Sequence, residues 1–499
     1  MANIVRKVSI FGCIISIMLL FMIQSTYCRK TQMRAKYQTL HVVAPALDEH
    51  EEVDDAVEDV NVQQEGSLTL RLMHRDAVDS HVRMRNLTRQ QLLLERIARD
   101  EKRLEFIKAR IDLAARNGAK PENALVNGTW EASRARFSGP ISSGQSLGSG
   151  DYIVRLGVGT PTKQMDMIID TGSDLSWLQC SPCTDCYHEP DPVFSPSRSS
   201  SYKQFTCSST MCQSLGNRGC QRNGCTYELS YDDGSVSSGN LASETFSDGS
   251  SSVSNIVFGC GHDNEGDFSG ADGLIGLGIG ALSFARQIAS PLRSSDIEFS
   301  YCLPVDSSNG GKSSSSLIFG NSAIPSEGQF TTYLINPSVG PFYYLQLTGI
   351  SIAGSLLSIP VSTFEIRRDG SGGVILDTGT TVTRLPMSAY VVMRNVFRAL
   401  TRNLPSASPV SIFDTCYDLS GLQSASIPSV QLHFQDEMDL NLPVTNYMLS
   451  VDDDNSIYCL AFAGTAFSEV SIIGNIQQQG YRIAIDGENI RIAFIPGQC

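Results

Sequence analysis

Two copies of one acidic motif are the residues most able to do chemistry. Asp170 begins an Asp-Thr-Gly triplet after two isoleucines, and Asp377 begins a second triplet after Ile375-Leu376. Each triplet has a downstream partner of two apolar residues and a glycine, ending at Gly276 (276 − 170 = 106) and Gly474 (474 − 377 = 97). One triplet is weak evidence, because Asp, Thr and Gly are common in turns. Two copies with matching partners indicate one β lobe used twice.

A pair of facing carboxylates predicts acid–base hydrolysis. If the two lobes face each other, Asp170 and Asp377 meet at their interface. Two carboxylates at close range do not both ionise readily, so the pair shares one proton at acid pH. The ionised group can activate a water as general base, and the protonated group can stabilise the oxyanion that develops on a carbonyl. This chemistry predicts an enzyme that needs no metal and no cofactor.

The residues beside each aspartate form three matched pairs. These pairs are Thr171 and Thr378, Gly172 and Gly379, and Ser173 and Thr380. The threonines of the triplets can lock the two loops together, and the glycines permit a close backbone approach. The hydroxyls that follow the glycines can bond the carboxylates and hold them coplanar.

The chain from Asp151 onward has the pattern of a β protein. Short β-rich runs alternate with Gly, Ser, Asn and Pro turns, which predicts a mostly β fold. Helices are expected only at 281–288 and 388–404. Residues 137–499 number 499 − 136 = 363, which is large for one core, so two lobes are expected, 137–330 and 331–499.

Charge separates residues 1–136 from the rest of the chain. They contain 21 Lys+Arg and 18 Asp+Glu (net +3), which leaves 17 and 34 of the totals of 38 and 52 (net −17) for residues 137–499. Residues 89–111 lack Gly and Pro and predict a helix. Its apolar residues on recurring faces are Leu92, Leu93, Ile97, Leu104 and Ile107. We expect a pro-segment over 29–136, held by charge and loosened by acid; the alternative is a solvated helical extension that stays attached.

The first residues predict a secretory signal peptide over 1–28. Arg6 and Lys7 precede the uncharged apolar run Val8–Ile23, and polar residues follow it. The run is short for a membrane span of roughly 20 residues, so a retained signal anchor is the alternative. We expect a secreted protein without a stable membrane anchor after cleavage, in the apoplast or else the endoplasmic reticulum or vacuole. Sequons at Asn86 and Asn127 predict N-glycans on the pro-segment alone.

Twelve cysteines follow the signal region. They are Cys180, Cys183, Cys186, Cys207, Cys212, Cys220, Cys225, Cys260, Cys302, Cys416, Cys459 and Cys499. An even number in an oxidising compartment predicts six disulfides, whose connectivity the spacing alone leaves open. The cluster at 180–186 could alternatively hold a metal or an iron–sulfur centre. No second Cys-x2-Cys lies at zinc-ribbon spacing, so disulfides are favoured.

Together these motifs resemble the pepsin-type aspartic proteases, most closely the plant nepenthesin-like group and its guard-cell type members. The resemblance covers nearly all of 150–499 and reaches back to LMHRD at 72–76. Its motifs are IIDTGSDLSW (168–177), CSPCTDC (180–186), YELSYDDGS (227–235), GCGHDNEG (259–266), GLIGLG (273–278), VILDTGT (374–380) and SIIGN (471–475). It implies a bilobal double-β-barrel fold with a central cleft behind a helical pro-segment. It also implies a monomeric aspartic endopeptidase, made as a zymogen, that acts on peptides or proteins.

The resemblance also implies roles for single residues. Tyr231 matches the flap tyrosine that closes over substrate, and Trp177 matches the tryptophan that supports it. Asp232 departs from the usual Tyr-Gly-Asp-Gly-Ser flap and could alter specificity or pH optimum. The implied disulfides are Cys186–Cys260, Cys207–Cys225, Cys212–Cys220, Cys180–Cys183, Cys416–Cys459 and Cys302–Cys499.

Composition and motifs weigh against other functions. A net charge of −14 and a pI near 5.0 argue against a general nucleic-acid binder, which needs a basic face. A polysaccharide hydrolase would want several exposed aromatics, and there are two Trp. A binding protein on the same scaffold, like the xylanase-inhibitor relatives, is the main alternative. Such relatives commonly lose part of the aspartate pair, and both copies are intact here.

Overall fold

The fold was analysed in a computed structural model. It describes residues 36–42, 67–74, 88–116, 152–187, 192–215, 218–230, 236–265, 268, 271–292, 296–303, 316–336, 340–465, 470–497 and 499. The predicted signal peptide, the sequons at Asn86 and Asn127, and the flap residues Tyr231 and Asp232 lie outside the described residues.

The described chain is mostly β, as the sequence predicts. The strands up to residue 334 are Tyr37–His41, Ser67–His74, Tyr152–Val158, Lys163–Asp170, Trp177–Gln179, Asp185–Cys186, Lys203–Gln204, Arg218–Gln221, Gly224–Ser230, Val236–Ser247, Ser252–Glu265, Gly273–Gly276, Glu298–Cys302, Ser316–Gly320 and Phe330–Leu334. The later strands are Tyr343–Leu345, Leu347–Ile352, Ser355–Leu356, Val374–Leu376, Thr383–Pro386, Ser406–Ala407, Cys416–Asp418, Ser424–Pro428, Val430–Phe434, Asp439–Asn441, Met448–Ser450, Ile457–Leu460, Phe462–Thr465, Ser471–Ile473, Tyr481–Asp486 and Arg491–Pro496. The α-helices are Arg89–Arg116, Thr210–Ser214, Phe284–Ala289, Met387–Leu400 and Asn475–Gln478, with 3-10 turns at Pro196–Arg198, Val361–Thr363 and Val444–Asn446.

The two acidic motifs end equivalent strands in a bilobal molecule. The strand Lys163–Asp170 lies parallel to Gly273–Gly276, so that Asp170 is opposite Gly276. In the second half Val374–Leu376 lies parallel to Ser471–Ile473, and the Asp377 N–H donates to the Ile473 carbonyl (3.2 Å). The strand before each triplet therefore pairs with the downstream apolar–apolar–Gly segment, in the same way in both halves.

One sheet joins the two halves. Glu298–Cys302 of the first half pairs antiparallel with Tyr481–Asp486 of the second. On the first-half side this sheet continues through Ser316–Gly320 to Ser67–His74 and then to Tyr152–Val158. The strand Ser67–His74 is therefore interior to the sheet, although it precedes the repeated lobes by many residues.

Buried apolar and exposed polar residues alternate along the strand Ser67–His74. Leu68, Leu70 and Leu72 are all buried, while Thr69 and Arg71 between them are exposed. Successive side chains of a strand point to opposite faces, so this spacing presents one apolar face to the core. A shorter strand, Tyr37–His41, pairs antiparallel with Ser424–Pro428 and buries Leu40.

The long N-terminal helix, Arg89–Arg116, has a clear start signal. The Thr88 hydroxyl accepts from the Gln91 N–H (3.2 Å), and the Gln91 side chain accepts from the Thr88 N–H (2.9 Å). This is a reciprocal capping box, which satisfies amides that the first turn leaves without partners. The helix extends five residues beyond the predicted end at Ile111 (116 − 111 = 5). At about 1.5 Å per residue it is roughly 42 Å long, enough to cross a small domain.

Six disulfides join the twelve cysteines, but four of the implied pairings were wrong. Cys302–Cys499 and Cys416–Cys459 are present as implied. The other pairs are Cys180–Cys260, Cys183–Cys186, Cys207–Cys220 and Cys212–Cys225. Trp177–Gln179 lies parallel to the strand that carries Cys260, and this brings Cys180 beside that cysteine. Because Cys180, Cys183 and Cys186 are all in disulfides, the metal alternative at this cluster is also wrong.

The described residues were also compared with the requirements for a membrane-spanning helix and for a metal site. Among them, no helix is long and apolar enough to cross a membrane. Within the same ranges, no group of three or more His, Cys, Asp or Glu side chains is arranged to hold a metal ion.

Candidate active site

The two aspartates meet in the centre of the molecule. The side chains of Asp170 and Asp377 are almost completely buried, with 1% and 0% of their surface exposed. Each sits where a buried strand ends and a turn begins. The hydrogen-bonded strand pairs beneath them hold the two turns at fixed positions, as a reactive pair requires.

A reciprocal pair of hydrogen bonds locks the two turns together. The Thr171 N–H donates to the Thr378 hydroxyl (3.2 Å), and the Thr378 N–H donates to the Thr171 hydroxyl (3.0 Å). Both threonines are fully buried. The arrangement is nearly symmetric about an axis between the lobes, and it is the link that the sequence analysis expects from these residues.

The two carboxylates are supported unequally. The Gly172 N–H donates to Asp170 Oδ1 (2.9 Å), and the Gly379 N–H donates to Asp377 Oδ1 (3.0 Å). The Thr380 hydroxyl also donates to Asp377 Oδ2 (2.5 Å). The expected counterpart, a bond from Ser173 to Asp170, is absent, because Ser173 Oγ and Asp170 Oδ2 are both buried without a hydrogen-bond partner among the described residues.

A guanidinium group from the N-terminal helix bridges the aspartate pair. Arg103 Nη2 lies 2.7 Å from Asp170 Oδ1 and 2.6 Å from Asp377 Oδ1. Arg103 Nε donates to Asp377 Oδ2 (2.7 Å). The arginine is 2% exposed, so one buried cation contacts both carboxylates of the motif repeat.

Electrostatics keep this arginine charged. Burial by itself would lower the pKa of Arg103, but the charges of Asp170 and Asp377, and its hydrogen bonds to them, outweigh burial and raise that pKa above its ordinary value. A buried cation is tolerated only when it is paired and hydrogen-bonded. The helix and the aspartate pair therefore stabilise each other's charges.

The two motif glycines make room for Arg103. A Cβ atom added to Gly172 would lie 2.4 Å from Arg103 Nη2, and one added to Gly379 would lie 2.5 Å from Arg103 Cζ. Neither distance is sterically possible without movement. The space beside these glycines is therefore occupied by the guanidinium group, whereas the sequence predicted a close approach of the backbone, which stays a prediction.

An acidic residue one helical turn before Arg103 binds the second motif loop. The Asp100 carboxylate accepts from the Thr381 N–H (2.8 Å) and the Val382 N–H (2.9 Å). Its neighbour Glu101 is 2.8 Å from Arg384 Nη1. Three polar contacts thus fasten this turn of the helix to the segment that follows Asp377.

Apolar contacts fasten two parts of the helix, before and after Arg103, to different clusters. Leu93 and Ile97 lie in a buried cluster that contains Val382 and Phe413. Ile107 belongs to another cluster, which contains Trp177, Phe268 and Phe342. The helix therefore lies across the aspartate pair and is anchored on both sides of it.

Trp177 is fully buried near the site. Its ring packs edge-on against Phe268, with centroids 4.8 Å apart. The contact expected between Trp177 and the flap residue Tyr231 involves a residue outside the described ranges, so that role stays a prediction.

Asp100 and Arg103 are the functional residues that sequence reasoning missed. The buried face of the helix runs through Leu93, Ile97, Asp100, Arg103 and Ile107, at spacings of three and four. The predicted helical face contained apolar residues only and therefore left out the two charged members. Charged residues at positions of an apolar stripe were the available signal, since Asp and Arg are almost never fully buried unless paired.

Comparisons with known proteins agree on one family. Residues 152–321 match the family described as Xylanase inhibitor N-terminal, and residues 342–496 match Xylanase inhibitor C-terminal. "Aspartyl protease family protein 2" of Arabidopsis thaliana is 44% identical over 436 residues, covering 87% of this chain and 85% of the relative. "Protein ASPARTIC PROTEASE IN GUARD CELL 2" of the same plant is 42% identical, covering 86% and 87%. "Aspartic proteinase nepenthesin-2" of Nepenthes gracilis is 37% identical, covering 83% and 87%.

Solved structures support the fold alone. The crystal structure of edgp matches with a TM-score of 0.57 at 22% identity, covering 69% of this chain and 91% of that one. Conglutin gamma from lupine seeds matches with a TM-score of 0.55 at 20% identity, covering 71% and 93%.

Proposed function

We propose that this chain, which belongs to the nepenthesin-like aspartic proteases of plants, is secreted as a zymogen and hydrolyses peptide bonds at acid pH with Asp170 and Asp377 as its catalytic pair. The family membership makes it a hydrolase of the aspartic type. The observation that carries the proposal is the bridging of both motif carboxylates by one guanidinium group.

The chemistry follows from two carboxylates held side by side. Without a cation between them, like charges at this range favour one shared proton. The ionised carboxylate takes a proton from water as it attacks the peptide carbonyl carbon. The protonated carboxyl donates a hydrogen bond to the carbonyl oxygen, on which negative charge develops. Collapse of the tetrahedral intermediate transfers a proton to the departing amine and leaves the pair ready for the next cycle.

Arg103 blocks this chemistry in the precursor. Its guanidinium occupies the space between the carboxylates and accounts for three of their hydrogen bonds. A carboxylate that is neutralised by a buried cation cannot serve as a general base, and substrate cannot enter where the helix lies. Residues 29–136 therefore act as an inhibitory pro-segment in this proposal, and the helix Arg89–Arg116 is its inhibitory element.

Acid is the expected release signal. The raised pKa of Arg103 keeps the guanidinium protonated throughout acid and neutral pH, so Arg103 itself cannot be the switch. Falling pH instead protonates carboxylates of the acidic domain and weakens the attraction that holds the basic pro-segment to it. The loss of attraction works in the direction of helix release.

Several sequence features support a secretory route. The apolar run Val8–Ile23 after two basic residues is typical of a signal peptide. Twelve cysteines in six disulfides suit an oxidising compartment. In this proposal the mature enzyme is a monomer, and it lacks N-glycans because both sequons lie in the pro-segment.

A direct test uses the purified precursor and its Asp377→Asn variant. Each is incubated with a denatured protein substrate at about pH 4 and at pH 7, and the N-terminus of any processed form is mapped. We expect cleavage by the unaltered protein at acid pH only, with the variant reduced by at least about a hundredfold, because a general base and the shared proton are both lost.

The opposite result would change the functional assignment. If neither protein cleaves substrate although the pro-segment has been removed and the fold is native, the catalytic proposal is wrong. The result would favour a binding protein on this scaffold, with Asp232 the first residue to examine.

A further inference from the structure

Arg384 is a buried cation that the catalytic proposal does not use. It lies on the strand Thr383–Pro386, which follows the second motif loop, and it is 2% exposed. A fully buried arginine is rare in proteins unless it is paired with an acidic group. The ionic partners of Arg384 therefore indicate which element of the fold keeps it buried.

All ionic partners of Arg384 among the described residues belong to the N-terminal helix. Nη1 lies 2.8 Å from Glu101 Oε1, and Nη2 lies 3.9 Å from Asp100 Oδ2. The Nε and Nη2 atoms are buried and have no hydrogen-bond partner in the described part of the chain. The guanidinium is thus only partly satisfied even while the helix is in place.

Departure of the helix would leave this cation at the cleft without a carboxylate. The same helix turn supplies Arg103 to the aspartate pair, so Arg384 lies close to the reacting centre. Along the helix axis Glu101 and Asp100 precede Arg103 by about 3 and 4.5 Å. An extended substrate advances about 3.3 Å per residue, so the corresponding carboxylate would lie within about two residues of the scissile bond.

We propose that Arg384 forms a carboxylate-binding subsite of the mature cleft, which selects substrates with an acidic side chain near the scissile bond. This proposal rests on the proposed function, since it requires that the helix leave. In the precursor, Glu101 and Asp100 occupy the subsite as a substrate's acidic side chain would. Arg384 is a specificity residue here and takes no part in the proton transfers.

The test measures kcat/KM of the processed enzyme on matched peptides. One position at a time, within two residues of the scissile bond, carries Glu, Gln or cysteic acid. Glu becomes neutral below its ordinary pKa of about 4.3, whereas the sulfonate of cysteic acid stays charged. At one of these positions we expect the cysteic acid peptide to be favoured over the Gln peptide by about tenfold or more, as for a charge-assisted hydrogen bond. The Glu peptide should share this advantage at pH 5 and lose it at pH 3.

Two variants assign the preference to Arg384. Arg384→Gln should abolish the preference, so that the cysteic acid and Gln peptides are cleaved by the variant with kcat/KM values within about threefold of each other. Arg402→Gln removes the same charge from an exposed position of the same half and should retain the preference. If Arg384→Gln fails to fold, the pH dependence of the three peptides on the unaltered enzyme still decides the question.

Two outcomes would overturn the proposal, and they are distinguishable. Equal cleavage of the Glu, Gln and cysteic acid peptides at every position would contradict the proposed subsite but not the proposed proteolytic function. Failure to cleave any peptide, by an enzyme freed of its helix, would overturn both the subsite and the proposed function.

Discussion

At the residue scale, the two motif aspartates differ in their hydrogen-bond support although their motifs match. Thr380 donates to Asp377, whereas Ser173 Oγ has no partner among the described residues and leaves Asp170 Oδ2 unsatisfied. A buried oxygen without a donor is costly, and this places the less stabilised carboxylate on the first motif.

Removal of each hydroxyl should have unequal effects on catalysis. We expect Thr380→Val to lower kcat by about tenfold or more, because a charge-assisted hydrogen bond of roughly 1.5–3 kcal/mol orients Asp377. Ser173→Ala should lower kcat by less than about threefold. Steady-state kinetics at the pH optimum would measure both effects, and equal losses would contradict the asymmetry.

The buried ion pairs of Arg103 should hold the helix on the aspartate pair. Arg103→Gln leaves Asp170 and Asp377 without their buried cation, a type of loss that costs about 3–5 kcal/mol. We expect the precursor to activate after a much shorter lag at about pH 5, with release of the helix favoured by about a hundredfold or more. Lys102→Gln, which removes the same charge from the exposed side of the helix, is the control. A lag that both variants leave unchanged would exclude Arg103 as the inhibitory group.

At the element scale, the N-terminal region is built into the fold at three places. One strand pairs with Ser424–Pro428, a second lies inside the sheet that joins the halves, and the helix crosses the aspartate pair. Gln38 reinforces the first contact, since its side chain donates to the Leu442 carbonyl (2.8 Å) and accepts from the Val444 N–H (3.0 Å). Release of the helix alone would therefore leave two strands in place.

The strand Ser67–His74 should contribute strongly to the stability of the precursor. Leu70→Ala removes a buried side chain and leaves a cavity, so we expect the free energy of unfolding to fall by about 2–5 kcal/mol. Thr69→Ala, on the exposed face of the same strand, should change it by less than about 0.5 kcal/mol. Chemical denaturation of the full-length precursor would measure both values, and a small effect at Leu70 would show that the strand contributes little.

At the scale of the whole molecule, charge distribution and buried contacts act together. The long-range attraction between a basic first part and an acidic remainder is screened by salt. The ion pairs of Arg103 are buried and are screened much less. Acid and salt should therefore differ in their effect on the helix.

We expect acid to release the helix from the aspartate pair and salt to leave it bound there. The raised pKa of Arg103 keeps this side chain charged in acid, so its own contribution does not fade as pH falls. Acid removes the charge of a carboxylate by protonation, whereas salt only screens charges that are exposed. Hydrogen exchange over residues 89–105, corrected for intrinsic rates, should show lost protection at about pH 4 and retained protection at pH 7 in 1 M salt. Equal loss in both conditions would mean that surface charge alone holds the helix.

The amino-acid sequence established the mostly β class, the motif repeat and the helix at 89–111, and it predicted the aspartates as the reactive pair, because each depends on a local pattern or on direct repetition. Only the tertiary structure decided which cysteines pair, since Cys180 meets Cys260 through strand packing across 260 − 180 = 80 positions. It alone also decided that Arg103 contacts both motif aspartates and that Asp100 binds the neighbouring loop. Spacing places these two residues on a helix face, but what that face contacts depends on packing between segments far apart in the chain.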